Sequence, residues 1–534
     1  MTASDQIDAD IAVVGSGFAG SLIALALKRR GRSVVLIERG RHPRFAIGES
    51  STPLANLLLE ELADRYDLPR IRSFSKWGTW QRAHPDVGCG LKRGFTFFFH
   101  QPGQAFADNQ THDRQLMVAA SPFDEVSDTH WYRPDFDLAL VREAQAEGVG
   151  YLDDTALDAY DESGARAVLA GTRDGQPIRI TAEFVVDASG PRGFMHRMLR
   201  LPPAALRWLP HTHGLYSHFE NVDRWDRLTP SQGTPYPPDD AALHHVFPGG
   251  WIWVLRFNNG ITSAGAALTD DFASTLDLER PETAWNELLA QLPSVGRQFE
   301  RARAILPFAH VPRLAFRAQQ IHGQRWAMLP SAAGVIDPLL STGFPLTLLG
   351  IARLLEALET TSAGAQRDAA LGEYARITEA ELDLTEQLVA ALYATMGDEA
   401  LFKRLSLMYF AAASYSEAVR RLGRPALAPG FLLHGHPQFG PEVLACATLA
   451  SSPLTGEERD RLLERIDRAV EPFDTAGLLD DSRKSWYPVL SDDLVAGAPK
   501  LGATVDETYR LLERCGFDVH HSKSSAAGPT RNNA

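Results

Sequence analysis

The sequence predicts an α/β fold, α+β overall: a Rossmann-type nucleotide-binding unit, interrupted by an antiparallel β-sheet and followed by a helical C-terminal region. Three observations carry this. Ile11-Ala12-Val13-Val14 leads into Gly15-Ser16-Gly17-Phe18-Ala19-Gly20, a helix-compatible stretch runs to Arg30, and Val34-Val35-Leu36-Ile37 ends at Glu38-Arg39. Phe184-Val185-Val186-Asp187 and Trp326-Ala327-Met328-Leu329 return much later as short apolar runs of strand type. Between them, residues 210–268 alternate apolar and aromatic positions, as antiparallel strands do.

The glycine spacing has a mechanical reading. Gly15 allows the strand-to-helix turn, Gly17 lets backbone approach a pyrophosphate, and Gly20 lets the helix pack on the strand. Phe18 and Ala19 open the helix whose positive end faces the phosphates, and Glu38, with Arg39 beside it, is placed to accept ribose hydroxyls. Residues 53–66 have helical spacing, 91–100 read as one aromatic strand of a second sheet, and 136–147 look helical. Two β-like runs follow around Ala167-Val168-Leu169 and Ile178-Arg179-Ile180, and Leu346 to Leu358 is a long helical pattern. From about 370 to 516 the chain reads as mostly helical, as in Tyr374 to Leu392 and Glu457 to Val470, and 517–534 as a disordered tail.

This divides the chain into a core over 1–360, a helical substrate-covering region over 361–516 and the tail. Within the core, nucleotide-binding segments are expected at about 8–50, 130–195 and 320–360, with a β-sheet substrate part at about 90–125 and 205–315. A nicotinamide dehydrogenase usually completes its sheet contiguously. The interrupted sheet with a β insertion is the layout of glutathione-reductase-type FAD enzymes.

The net charge of -14 over 534 residues argues against nucleic acid or an anionic membrane as partner. Cys89, Cys446 and Cys515 form no C-x-x-C, which excludes a disulfide framework or a zinc site built on cysteine pairs. No metal site is expected. Met1 to Asp10 is polar and acidic, unlike a signal peptide, and no apolar run approaches the roughly 18 residues of a membrane helix. A cytoplasmic protein is expected.

Three further segments match FAD enzymes. His42-Pro43-Arg44-Phe45 with Gly48-Glu49-Ser50 follows the second strand and could approach the flavin and its phosphates. Arg133 in Arg133-Pro134-Asp135-Phe136-Asp137 resembles the arginine of an R-x-x-F-D element that lies close to the flavin; its bland alternative is a surface ion pair with Asp135 or Asp137. Asp187-Ala188-Ser189-Gly190 is a buried strand end that turns beneath the cofactor.

With these segments the chain resembles the flavin-dependent halogenases over about residues 8–360, and more loosely beyond. The likeness is to the branch acting on free phenolic and pyrrole substrates, such as the tetracycline chlorinases and the aminopyrrolnitrin-pathway halogenase. It is carried by His42-Pro43-Arg44-Phe45 with Gly48-Glu49-Ser50, by Ala63-Asp64-Arg65-Tyr66, and by Lys92-Arg93-Gly94-Phe95 leading to Phe99-His100-Gln101-Pro102-Gly103. His244-His245-Val246-Phe247 with Gly250-Trp251-Ile252-Trp253, and Val335-Ile336-Asp337-Pro338-Leu339 with Ser341-Thr342-Gly343, complete it.

The resemblance implies that reduced FAD and oxygen give a flavin hydroperoxide, which a halide attacks to release hypohalous acid. The acid travels to a lysine beside an electron-rich ring. By the match that lysine is Lys92, with Lys76 as the positional rival and a solvated strand-edge lysine as the bland reading. Thr342 and Gly343 would face the halide through backbone N–H groups, with Ser341 as partner of Lys92; a helix cap is the ordinary reading of the same residues. Trp251 and Trp253 would keep substrate from the flavin, or simply pack one face of a strand. Asp337 is counted with the cofactor-binding residues.

Three departures stand out. The W-x-W-x-I-P signature ends in Leu255-Arg256, which places a cation near the tunnel wall. Pro330-Ser331 replaces the Gly-Asp of many FAD enzymes. Leu340 stands where the tryptophan-specific branch has Glu, which makes free tryptophan an unsuitable substrate. No second strand-linked G-x-G-x-x-G is present for a nicotinamide nucleotide, so a separate NAD(P)H:flavin reductase is expected to supply the reduced FAD. A flavin monooxygenase or dehydrogenase on this scaffold is the alternative, and a carrier-bound substrate stays open.

Overall fold

The computed structural model describes residues 5–517. The tail expected over 517–534 therefore lies, from residue 518 on, outside the described residues. Strand β1 (Asp5–Val14), helix α1 (Phe18–Arg29) and strand β2 (Val34–Ile37) form the opening βαβ unit. Helix α2 (Pro53–Arg65) starts where the Thr52 hydroxyl accepts the Ala55 N–H, as a helix cap should. Strands β3 (Cys89–Lys92), β4 (Gly94–Phe99), β5 (Gln115–Ala119) and β6 (Asp128–Trp131) follow. The helix Arg133–Ala146 then leads to β7 (Gly150–Leu152), β8 (Thr155–Asp161), β9 (Ala167–Arg173) and β10 (Gln176–Asp187).

The nucleotide-binding sheet runs β7-β2-β1-β10-β9-β8, and the strand Trp326–Met328 also pairs with β10. The β-like run at Ile178 and the apolar run at Phe184 prove to be one twelve-residue strand. Its first half pairs antiparallel with β9 and alternates in burial; its last four residues are buried throughout, with Trp326–Met328 beside them. A strand covered on both faces needs an unbroken apolar run, whereas one covered on a single face alternates. That change of pattern is why one strand reads as two.

The second sheet contains β11 (Thr212–Glu220), β12 (Ala242–Phe247), β13 (Gly250–Arg256) and β14 (Thr262–Thr269), in the order β11-β14-β13-β12-β4-β5 with short strands at the margins. It is antiparallel except where β12 meets β4 and where the short strand Trp486–Tyr487 meets β5, both in parallel. The single strand expected over 91–100 is divided at Arg93. β4 joins the large sheet, while β3 pairs with β6 alone. Lys92 thereby leaves the sheet that carries the phenylalanines following it.

Helices Ala365–Ala394, Glu399–Arg421, Phe439–Ala450 and Gly456–Val470 make up most of the C-terminal region. The segment Leu339–Thr360 is long and apolar enough to cross a membrane by composition, although no unbroken apolar run marks it. In the fold, 72% of its apolar window is buried, and its helix Gly343–Thr360 packs on α1, α2 and Ala365–Ala394. Pro330, one of the departures, seats on this helix: a Cβ at Gly350 would lie 2.1 Å from Pro330 Cγ.

Candidate active site

The glycine loop is tight where the spacing requires it. Gly15 has φ +100°, and a Cβ there would stand 2.5 Å from the Ala188 carbonyl oxygen. A Cβ at Gly20 would come within 1.8 Å of the Gly15 carbonyl oxygen, so the first turn of α1 rests directly on the loop. Gly17 instead looks onto guanidinium groups, Arg133 Nη2 at 3.5 Å and Arg44 Nη2 at 3.7 Å from its hypothetical Cβ. Glu38, buried at the end of β2, accepts from Ser16 N (3.1 Å) and Ser16 Oγ (2.9 Å) and pairs with Arg44 at 3.3 Å. Burial opposes its charge, but Arg44 and the N–H groups of Gly40 and Ser16 outweigh burial and hold the carboxyl below its usual range. A helix N-terminus, two guanidiniums and a fixed carboxylate are a donor set that fits a dinucleotide's pyrophosphate and ribose.

Arg133 opens its helix in the buried interior. Its Nε and Nη2 bond Asp137 at 2.8 Å each, and Nη1 donates to the Gly48 carbonyl at 2.9 Å. The expected ion pair with Asp137 is thus real, but it is buried, not at the surface. From Gly48 onward, consecutive residues have different partners. The Glu49 carboxylate meets His218 Nε2 at 2.7 Å, and the Ser50 hydroxyl accepts from Lys92 Nζ at 2.8 Å. The turn is held against β6 by the Trp131 N–H, which donates to the Glu49 carbonyl at 2.6 Å. One short segment therefore joins the Arg133 cluster to Lys92.

Lys92 is fully buried, which rules out the solvated strand-edge reading. Nζ also donates to the Ser51 carbonyl at 2.5 Å and lies 3.7 Å from the centroid of the Phe95 ring. Its expected partner Ser341 is not among its hydrogen-bond partners; Ser50 and Ser51 take that place. Across the β3–β6 ladder Lys92 faces Asp128, itself buried and bonded to Asn56 Nδ2 at 2.7 Å. Burial pushes the Lys92 ammonium well below its ordinary value, and the Asp128 charge partly opposes this. Burial pushes Asp128 up, against the charges of Lys76 and Lys92. Lys76 itself stands half-buried before the short helix Trp77–Ala83.

Leu340 and Ser341 both adopt left-handed backbone, with φ of 64° and 55°, just before Thr342 and Gly343 start their helix. The Thr342 side chain makes no capping bond, so the cap reading fails in its side-chain form. A Cβ at Gly343 would meet nothing within 4 Å. The next residue, Phe344, packs its ring 4.9 Å from Phe18 and 4.1 Å from Trp131, which sets this turn against the start of α1. Behind the turn, Asp337 accepts the Leu339 N–H and the Tyr393 hydroxyl, each at 2.9 Å. Tyr393 in turn accepts from Trp251 Nε1 at 3.1 Å.

Comparison with known proteins now decides the family. The family described as FAD dependent oxidoreductase matches residues 10–316. The chain is 31% identical over 402 residues to the monodechloroaminopyrrolnitrin halogenase PrnC of Pseudomonas fluorescens, covering 73% of this chain and 68% of that protein. The chain is a member of the flavin-dependent halogenases. It is also 29% identical over 395 residues to tetracycline 7-halogenase of Kitasatospora aureofaciens, covering 71% and 69% of the two chains. In fold it is similar to halogenase PltM, solved in complex with phloroglucinol and FAD, with a TM-score of 0.80 and 24% identity over 89% of this chain and 99% of that one. Its cofactor is FAD.

Against a halogenase, the sequence-derived residues fall into three groups. Gly15, Gly17, Phe18, Ala19, Gly20, Glu38, Gly48, Glu49, Ser50 and Arg133 gather around the loop and the turn beside it. Asp187 is wholly buried, and its carboxylate accepts the N–H groups of Ser189 (2.9 Å) and Met195 (2.7 Å), so it shapes the strand end. Arg39 points outward, and Asp337 is engaged by Tyr393, away from the glycine loop's own contacts.

Trp251 and Trp253 share a face of β13, both buried, with ring centroids 5.6 Å apart. Arg256, the cation expected near the tunnel wall, is engaged by its own fold: it pairs with Asp239 at 3.0 Å and donates to the carbonyls of Val222 and Asp223. Sequence reasoning missed Asp128, Asn56, His218 and Tyr393. Asn56 and Tyr393 are polar residues amid apolar neighbours, whereas Asp128 and His218 sit beside Ser127, Thr129 and Ser217 and carry no such local signal; the partners of all four are distant in the chain.

Proposed function

We propose that this halogenase chlorinates or brominates an electron-rich aromatic small molecule, phenol- or pyrrole-like, at a site where Lys92 directs the halogen. The observation that carries the reading is the full burial of Lys92 beside the Gly48-Glu49-Ser50 turn, with Asp128 as the counter-charge across the ladder.

Bound in reduced form, FAD would supply two electrons that bring O2 to the peroxide level, the oxidant that converts halide to hypohalous acid. Gly15, Gly17, Gly20, Glu38, Arg44 and Arg133 hold the nucleotide, and the Thr342 and Gly343 N–H groups face the halide. The Lys92 ammonium donates a hydrogen bond to the hypohalous oxygen and so makes the halogen more electrophilic. The ring attacks the halogen, water leaves, and the ring proton is lost to restore aromaticity. The packed Trp251–Trp253 face excludes the ring from the flavin side. Overall, ring C–H, halide, O2, reduced FAD and one proton give the aryl halide, FAD and two waters.

One feature of the sequence supports a partner reductase: there is no second strand-linked G-x-G-x-x-G for a nicotinamide nucleotide. The test supplies reduced FAD, O2 and bromide or chloride with a panel of phenols and pyrroles, free and carrier-tethered, read by mass spectrometry. A halide-dependent mass gain of one halogen is expected. A product that gains oxygen and forms equally well without halide overturns the reading in favour of a monooxygenase. Turnover by NADPH alone, with no reductase present, overturns the partner.

A further inference from the structure

His211, His213 and Asp270 meet at one edge of the second sheet. β11 begins and β14 ends there, with Thr212 opposite Thr269 in the ladder. The two-residue period of a strand puts both histidines on one face of the chain. His211 Nδ1 and His213 Nε2 both contact the same oxygen, Asp270 Oδ1, the latter at 3.0 Å. On its other side His213 presents Nδ1 to His310 Nε2 at 3.1 Å, from the neighbouring strand Ala309–Val311, with the two rings nearly parallel. The ligating atoms of His211, His213 and Asp270 lie within 4.8 Å of one another. His211 Nε2 is buried with no partner. None of this belongs to the Lys92 site.

We propose that this cluster binds a late first-row divalent cation of the zinc type, through His211 Nδ1, His213 Nε2 and an Asp270 oxygen, with water as the fourth ligand. Two imidazoles and a carboxylate with one open position are a recognised zinc donor set. Zinc bonds of about 2.0–2.2 Å require ligand atoms further apart than His211 and Asp270 are now. Asp270 can open the site, because its side chain is 59% exposed.

The protons balance. Without metal, His211 Nδ1–H and His213 Nε2–H donate to Asp270 while His310 Nε2–H donates to His213 Nδ1. With metal, His213 carries its proton on Nδ1 and donates it to His310, and His211 carries its own on Nε2. Each metal-binding imidazole uses the ring nitrogen that carries no proton, and Asp270 supplies a carboxylate oxygen. His310 then acts as the outer partner that orients a metal-bound histidine. The ion ties the start of β11 to the end of β14, a structural cross-link outside the halogenation chemistry.

The experiment titrates Zn2+ into metal-stripped full-length protein by calorimetry. Co2+ absorption reports the coordination geometry, and the melting temperature is read with and without metal. One equivalent at micromolar or tighter affinity, a four-coordinate Co2+ spectrum and a raised Tm are expected. His213→Ala and Asp270→Asn should each remove that equivalent, and His310→Gln should weaken it by about 10- to 100-fold. FAD binding by each variant checks that the chain is folded. No stoichiometric binding by the parent chain overturns the proposal, as does an equivalent that survives both His213→Ala and Asp270→Asn.

Discussion

Tyr393 donates its hydroxyl hydrogen to Asp337 Oδ2 at 2.9 Å while accepting from Trp251 Nε1 at 3.1 Å. All three side chains are buried, so one phenol links the C-terminal helical region, the tryptophan face and the turn before Gly343. Asp337 also holds the Leu339 N–H, one residue before two left-handed non-glycine residues. Such backbone costs of order 1–3 kcal/mol per residue and persists only where its surroundings hold it.

Tyr393→Phe removes the hydroxyl, which leaves Asp337 Oδ2 without its donor and Trp251 Nε1 without its acceptor. A stability loss of about 1–3 kcal/mol is expected from the orphaned buried groups. If the turn faces the halide, the KM for halide rises several-fold while the Kd for FAD is unchanged. Steady-state kinetics at varied halide, beside a flavin titration, separate the two. Equal change in both would indicate a general loss of packing.

If Lys92 directs the halogen, it sets a pH limit. Burial brings its ammonium down to about 7, and only the protonated form can donate to hypohalous oxygen. Halogenation should fall as pH rises through the neutral range, well below where an exposed lysine titrates. The Asp128 charge raises the Lys92 pKa, so Asp128→Asn lowers it further and moves the alkaline limb to lower pH. A pH–rate profile of the two proteins measures the shift; a limb that stays in place denies the coupling.

Lys92→Ala should abolish regioselective product while hypohalous acid still forms. A diffusible halogen trap together with mass spectrometry of the substrate distinguishes the two. In Lys76→Ala, selective product should persist. The opposite result would transfer the role to Lys76.

Glycines in this chain differ in what they forbid. Gly20→Ala puts a methyl 1.8 Å from the Gly15 carbonyl oxygen, so loss of FAD binding and destabilisation of about 1–3 kcal/mol or more are expected. Gly343→Ala adds its methyl to open space. It should leave Tm unchanged or slightly higher, since alanine favours helix over glycine. It should still raise the KM for halide if that space holds the anion. Thermal melts and halide saturation curves for the pair decide both points.

Some of the site was readable from local spacing. The βαβ unit, with Glu38 ending its second strand 22 positions from Ser16, and the RxxFD arginine are each marked by a short ordered motif; Glu38 meets Ser16, and Arg133 meets Asp137. The helical pattern of Leu346–Leu358 was equally plain, because a helix places its buried face at a fixed period. What failed were statements about which distant groups meet. Ser341 is expected as the partner of Lys92, and Arg256 as a cation near the tunnel wall, with no partner foreseen for it. The ladder between β3 and β6 and the turn at Ser50 decide the first; the loop carrying Val222 and Asp239 decides the second.

The sequence by itself determined the nucleotide loop, the interrupted sheet and the family, because glycine sterics, strand periodicity and ordered motifs are local properties. Only the tertiary structure decided the electrostatics of Lys92. Its pKa depends on how much water is excluded around Nζ and on a carboxylate from a strand 36 positions later, Asp128 facing Lys92 across the ladder. The same holds for His211, His213 and Asp270: the two histidines are neighbours in sequence, but the carboxylate reaches them only through the pairing of β11 with β14. Burial and long-range charge are sums over the whole fold, and no short stretch of chain contains them.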